Sequence, residues 1–273
     1  MPELIGSIVP SSTLDALPYP GRIVKRKEKD KQIVESVQRR LNELGCGPVD
    51  VDGDFGDQTE KAVKLFQMRF PDSDGHPLTV DGEIGSITWA RIFGTHSVPV
   101  TNVATTDLLG KVLEVARGEI GTMEDPLGSN RGPRVDQYLS CCGLNPASGH
   151  FPWCAGFVYF CYNEATKTLG RSNPVVKTGG VLAHWNKAGQ QGIARVTANQ
   201  AMNNPSLVKP GHIFIMDFGK GAGHTGLVEQ VTGGKLVTIE GNTNDGGSRE
   251  GIGVFRRTQR KVVQVNKGFI EYE

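Results

Sequence analysis

No stretch of this sequence approaches the roughly 20 consecutive apolar residues that a membrane span needs, so no span is expected. Charge of one sign is lacking too. Thirty Lys and Arg against 29 Asp and Glu leave a formal net charge of +1, without the clustered basic surface of a nucleic-acid binder. Neither a membrane span nor a nucleic-acid partner is therefore expected. The five cysteines, Cys46, Cys141, Cys142, Cys154 and Cys161, contain no Cys-x-x-Cys pair, which argues against a zinc ribbon or a dithiol redox motif. Their odd number implies at least one free thiol and a reducing compartment. The opening "MPELIGSIVPSSTLDALPYPGRIVKRKEKDK" lacks the basic start and apolar core of a secretory signal. The chain is expected to be made in the cytoplasm and to bypass the general export route.

What is present falls into regions of different texture. Residues 1–30 read as an N-terminal extension, 31–95 as a small helical domain, 96–106 as a linker and 107–273 as a larger domain. In the small domain, "IVESVQRRLNELG" sets Ile33, Val34, Val37, Leu41 and Leu44 on one helical face and ends on Gly45. "VDGDFGDQTEKAVKLFQMRF" is then echoed by "VDGEIGSITWARIF", with Asp52 and Thr59 matched to Asp81 and Thr88 at an offset of 29 residues. Each copy places an Asp-Gly turn and a second glycine before a helix, which predicts three helices around one core. Asp50, Asp52 and Asp54 suggest a calcium loop, but that template needs glycine where Phe55 stands and a closing acid where Lys61 stands. Turn and cap chemistry is expected of them instead. With Gln38, Leu41, Leu44 and Gly45, the run "DGDFGDQTEKAVKLFQ" resembles the peptidoglycan-binding domain found beside many wall hydrolases.

"GTHSVPVTNVATT" has no helical period and reads as a linker. Beyond it, "LLGKVLEVARGEIG" has helical spacing behind Thr106 and Asp107. From Gly211 onward the texture is of strands: "HIFIMDF", "HTGLVEQV", "KLVTIEG", "GVFRRTQR" and "GFIEYE". Helices followed by an antiparallel sheet make an α+β domain.

Within that domain, Cys154 stands apart from the other cysteines. Most lone cysteines are small buried hydrophobes, and Cys161, on the same helix, fits that description, as does Cys46. Pro152 predicts that Cys154 lies in the first helical turn, where unpaired N–H groups favour a thiolate and a developing oxyanion. Ala155 and Gly156 are expected to leave room for a substrate backbone, and Trp153 is expected to form a wall of the cleft. A nucleophile needs a base. His76 and His96 lie outside the domain, His150 is too near in sequence, and His184 reads as part of a helix face. His224, in "GKGAGHTGLVEQV", has small neighbours and precedes a strand carrying Glu240 and Asn242 on one face, so Glu240 can reach the imidazole from the next strand. His212 has no such partner in sequence and reads as a turn histidine. A cysteine on a helix with a histidine and an acid on adjacent strands is the layout of a papain-like cysteine hydrolase.

"PWCAGFVYFC", "KPGHIFIMDF", "GHTGLVEQV" and "IEGNTN" together resemble the CHAP family of cysteine- and histidine-dependent amidohydrolases and peptidases. The resemblance implies Cys154 as nucleophile, His224 as general base, Glu240 as the residue orienting that base, and Asn242 as a polar neighbour. It implies hydrolysis of a peptidoglycan amide, either between muramic acid and L-alanine or within the peptide stem and cross-bridge. Two departures stand out. Many members carry an acidic calcium-binding stretch before the cysteine, whereas "QYLSCCGLNPASGHFPW" has no carboxylate, so neither metal nor cofactor is expected. The usual Pro-Gly-Asp reads Pro-Gly-His at His212.

The expectation is a wall hydrolase that reaches the periplasm or the extracellular wall as a phage-type lysin or as an injected antibacterial effector. The effector route would bring secretion machinery and an immunity protein as partners beside peptidoglycan. A non-catalytic wall-binding protein is the alternative, and a transferase using the same residues is a third.

Overall fold

The computed structural model describes residues 17–244 and 251–273, and the chain divides into two units, Met1–Pro99 and Val100–Glu273. The first unit is a three-helix domain of α1 (Lys31–Glu43), α2 (Asp57–Arg69) and α3 (Ser86–Phe93). The side chain of Asp30 caps α1 by accepting from Ile33 N–H, and Gly45, at φ +71°, ends it as the sequence predicts. Val34, Val37, Leu41, Val63, Phe66, Trp89 and Ile92 close one core. Residues ahead of α1 take part in it: Tyr19 packs edge-on against Trp89, the Trp89 indole donates to Leu17 O, and Val24 bridges to Ile84.

The internal repeat has a common physical cause in both copies. Gln38 Nε2 donates to Asp52 Oδ1 (2.8 Å) while its Oε1 accepts from the N–H groups of Asp52 and Gly53. Twenty-nine positions later in the sequence, Gln67 repeats the pattern on Asp81 (2.8 Å) and on the N–H groups of Asp81 and Gly82. Each buried glutamine thus satisfies the backbone of an Asp-Gly turn that would otherwise carry unpaired donors. The carboxylates at Asp52 and Asp81 are occupied as turn acceptors, as the sequence reading expects.

The second unit is α+β. Helices α4 (Asp107–Gly118), α5 (Pro133–Cys141), α6 (Cys154–Thr168), α7 (Val181–Gln190) and the short α8 (Ala198–Asn203) precede most of the sheet. The strands are β1 (Val100–Thr101), β2 (Arg195–Thr197), β3 (Ile213–Gly219), β4 (Ala222–Thr232), β5 (Lys235–Thr243), β6 (Gly253–Lys261) and β7 (Gly268–Ile270). Their order is β2-β7-β3-β4-β5-β6, antiparallel throughout, with β1 pairing the end of β4. Four of the five strand segments anticipated from the sequence form the long β3–β6 of this sheet, and the fifth, "GFIEYE", contributes only the three residues of β7. The short β1 and β2 were not anticipated, since two or three residues carry no alternation and neither is followed by a longer apolar run of the kind that marked β7. Phe157, Val158 and Cys161 of α6 pack with Ile213, Ile215, Leu227 and Ile239 in the main core, and Phe214, Val228, Leu236 and Phe269 form a second cluster with Ala201 and Val208.

Candidate active site

Helix α6 begins at Cys154, immediately after Trp153 at the N-cap. The first intrahelical acceptor is Trp153 O, bonded by Phe157 N–H at 2.9 Å, so the N–H groups at the start of the helix have no partner within it. These groups carry the positive end of the helix dipole. The start of α6 lies close against β5. A Cβ on Gly241 would come within 2.6 Å of Phe157 Cβ and 2.8 Å of the Trp153 ring, so only glycine permits this approach. Cys154 is 4% exposed, and that exposure opens into a cleft of about 450 Å³.

His224 lines the same cleft from β4. Its Nε2 lies 2.7 Å from Glu240 Oε2, and the Cys154 sulfur, which lines the same cleft, also acts electrostatically on the ring. The pairing Leu227↔Ile239 sets Glu240 beside Gly226. A Cβ on Gly226 would meet Glu240 Cγ at 2.9 Å and Ile239 O at 2.8 Å, so the glycine vacates the space through which Glu240 reaches back to the imidazole. Burial alone would lower the His224 pKa. Hydrogen bonds and attraction to Cys154 and Glu240 outweigh it and raise the pKa to about 9. Burial would raise Glu240, but His224 and Arg260 hold its carboxyl well below the usual carboxylate range.

Asn242 also lines the cleft, with a left-handed φ of +51°. With its amide oriented to satisfy both ends, Oδ1 accepts from Trp153 N–H (3.3 Å) and Nδ2 donates to Asn130 Oδ1 (3.2 Å) and Gly251 O (3.3 Å). Asn242 therefore ties β5 to the residue before Cys154. Its place beside the sulfur comes through the backbone of Trp153.

Cys154, His224, Glu240 and Asn242 are thus brought together, whereas two other expectations require correction. Trp153 does not form a wall of the cleft. Its indole is fully buried, stacks on Tyr138 (centroids 5.5 Å apart) and donates to Glu124 Oε1 at 2.8 Å, while Phe151 and Pro152 line the cleft instead. Gly156 leaves no space for substrate either. A Cβ there would lie 2.9 Å from Tyr138 O, so its smallness lets α6 approach α5.

The remaining histidines have other employment. His150 Nδ1 donates to Ser129 O, and His184 Nε2 pairs with Tyr272 OH while burial pushes its pKa down to about 4. His212 is buried, accepts from Lys209 N–H through Nδ1 and sits 3.4 Å from Glu271, away from the cleft lining. Cys161 is fully buried and burial pushes its thiol well up; Cys142 donates to Leu139 O. Among the described residues, the donors closest to a metal set are Asp72, Asp74 and His76 in the first unit, within 4.8 Å of one another. Asp72 Oδ1 there accepts from the N–H groups of Asp74 and His76, as a turn-capping aspartate does.

Three residues at the site escaped the sequence reading. Asn130 lines the cleft beside Asn242 with a φ of +54°. Thr238 Oγ1 donates to Glu240 Oε1 at 2.6 Å, and Arg260 donates from Nε to Oε1 (2.6 Å) and from Nη2 to Oε2 (2.7 Å). Thr238 was accessible to reasoning, since it precedes Glu240 by two on the same strand face. Arg260 was not, because a bulge intervenes. Leu236 pairs with Arg260 but Thr238 pairs with Arg257, so β6 holds one residue more than β5 between them.

Two family models match the chain. Residues 30–92 match the putative peptidoglycan binding domain, and residues 146–242 match the CHAP domain. Searches of curated proteins and of solved structures returned no match. The chain thus carries a peptidoglycan-binding domain followed by a CHAP domain, an architecture that indicates a peptidoglycan hydrolase of amidase or peptidase type.

Proposed function

We propose that the protein cleaves a peptidoglycan amide by nucleophilic catalysis, with Cys154 as nucleophile, His224 as acid and base, and Glu240 as the residue that orients His224. The observation that carries this reading is that the Cys154 thiol and the His224 imidazole line one cleft while Glu240 holds the imidazole at 2.7 Å. The thiolate, the nucleophilic form of cysteine, attacks the carbonyl carbon. A C–S bond forms, and the carbonyl oxygen takes up the negative charge beside the unpaired N–H groups that open α6. The tetrahedral intermediate collapses with rupture of the C–N bond, and His224 gives its proton to the departing amine nitrogen. Water then gives a proton to the neutral imidazole as its oxygen attacks the thioester. The C–S bond breaks, the acid product leaves and the thiolate with its imidazolium partner is restored. An imidazole with a pKa raised to about 9 suits the first of these proton transfers, because it is charged at neutral pH.

The substrate is the peptidoglycan stem, at the muramoyl–L-alanine amide or at a stem or cross-bridge peptide bond, and the first unit tethers the enzyme to the wall. Delivery follows a phage-type lysis route or contact-dependent injection, and a cognate immunity protein accompanies the second. Cys154→Ala tests the chemistry. The variant is expected to sediment with purified sacculi as the wild type does while releasing no new amino groups. Wild-type release by this variant overturns the proposal in favour of a wall-binding protein without catalysis. New amide bonds formed with an added amine would instead mark a transferase. Masses of the digestion fragments identify the severed bond.

A further inference from the structure

We propose that Arg260 is a positioning residue of this site, the fourth link in a chain Cys154–His224–Glu240–Arg260, whose planar fork fixes the carboxylate that in turn aims the imidazole. The proposal rests on the Cys154–His224–Glu240 reading above.

The geometry distinguishes this pair from an ordinary surface ion pair. Glu240 is fully buried, and the Arg260 side chain is 10% exposed. Both carboxylate oxygens are shared: Oε1 between Arg260 Nε and Thr238 Oγ1, Oε2 between Arg260 Nη2 and His224 Nε2. A bidentate guanidinium determines the plane of a carboxylate as well as its position, which a point-charge ammonium cannot do. With that plane fixed, Oε2 has one direction in which to meet His224. The guanidinium is itself held, lying 5.0 Å from the centroid of the Phe214 ring and 3.3 Å from Met216 Sδ. Phe214 also touches the His224 ring, at 5.8 Å between centroids, so Arg260 and His224 share a neighbour as well as a carboxylate.

Charge counting points the same way. When the sulfur is in its nucleophilic thiolate form and the imidazole is charged, the four groups alternate in sign along the chain and sum to zero. A buried carboxylate with one cation is adequately paired, but a thiolate must then share that cation. Arg260 supplies the second positive charge, so the imidazolium is free to serve the sulfur. The bulge in β6 is what delivers it: without the extra residue, Gln259 would stand where Arg260 stands, opposite Leu236. Arg260 also lies beyond residues 146–242, the portion matched by the CHAP model.

The test is amino-group release from purified sacculi across pH by wild type, Arg260→Met, Arg260→Lys, Glu240→Gln and the Glu240→Gln/Arg260→Met double variant, with thermal unfolding of each. Arg260→Met is expected to lower the rate about a hundredfold, the scale of a misplaced catalytic group. Its acid limb should move to higher pH, because Glu240 loses the cation that keeps it ionised. Arg260→Lys should keep the acid limb near the wild-type position yet recover only part of the rate, since charge returns without the fork. In the Glu240→Gln background, Arg260→Met should cost little more. Equal losses in both backgrounds, or a lower unfolding temperature with an unmoved acid limb, overturn the proposal by marking Arg260 as merely structural. Should the Met variant fail to fold, a wild-type rate in Arg260→Lys overturns it alone and a reduced rate sustains it. A fully active Glu240→Gln is a different failure, since it ends the reading of Glu240 on which the proposal rests.

Discussion

Burial by itself would discharge His224, because a low-dielectric setting disfavours the imidazolium. The contacts with Cys154 and Glu240 reverse that sign and raise its pKa from 6.5 to about 9. Two consequences follow at the scale of this residue. Activity that needs a charged imidazole should persist through neutral pH and fall as pH passes about 9. In Glu240→Gln the basic limb should move down, since one of the two raising contacts is gone. A pH profile of amino-group release measures both limbs, and an unmoved basic limb in that variant contradicts the assignment. The stability linkage has its own sign. A raised histidine stabilises the fold fully below its ordinary pKa of 6.5, and that contribution is lost as pH rises through about 9. The lowered Glu240 contributes above its ordinary 4.5 and loses that contribution as pH falls below it. Thermal unfolding should therefore show the pair at full strength between pH 4.5 and 6.5.

Strands and helices meet at this site through glycines, and the packing there has no slack. At Gly226 the space that a Cβ would fill is bounded by Ile239 O, Phe214 and Glu240, all within 2.9 Å, and the backbone carbonyl cannot swing aside. Gly226→Ala should destabilise the protein by about 1–3 kcal/mol, the usual cost of overpacking, and should lower activity further by displacing Glu240 from His224. Gly110→Ala is the matched control. It sits inside α4 with its nearest neighbour at 4.0 Å, and is expected to stabilise by about 0.5–1 kcal/mol. Urea unfolding of the two variants separates them; a neutral Gly226→Ala would show that β4 and β5 can spread. The same packing explains what the sequence could and could not disclose. Alternation along β5 brought Glu240 and Asn242 to one face, and the small residues around His224 marked a place for an imidazole. Trp153 and Gly156 were misread because proximity to a cysteine in sequence says nothing about which side of the helix start each occupies. Parity along β6 fails at the bulge, so Arg260 has no one-dimensional signature. The 29-residue repeat was legible as a repeat, but its cause was not, since Gln38 and Gln67 act across a turn 14 residues away.

Each of the two units has a core of its own, and each matches a different family model. In a wall-bound enzyme, such a division separates affinity from chemistry. A tethering unit raises the local concentration of an insoluble polymer without touching the scissile bond, and the gain from a second attachment reaches about 10²–10⁴ in apparent affinity. Soluble fragments offer one attachment at a time, so they gain nothing from it. A chain comprising residues 100–273 should therefore hydrolyse soluble peptidoglycan fragments at the rate of the full chain. On intact sacculi at limiting enzyme it should fall behind by about a hundredfold, and added salt should not restore it, because salt screens electrostatic attraction and supplies no substitute for the lost attachment. Amino-group release from the two substrates measures the ratio. Equal losses on both would mean that the first unit supports the catalytic fold, and equal rates on both would mean that it does not hold the wall. Only a loss confined to sacculi assigns the first unit to attachment, with the cleft at Cys154 cutting whatever strand that attachment brings within reach.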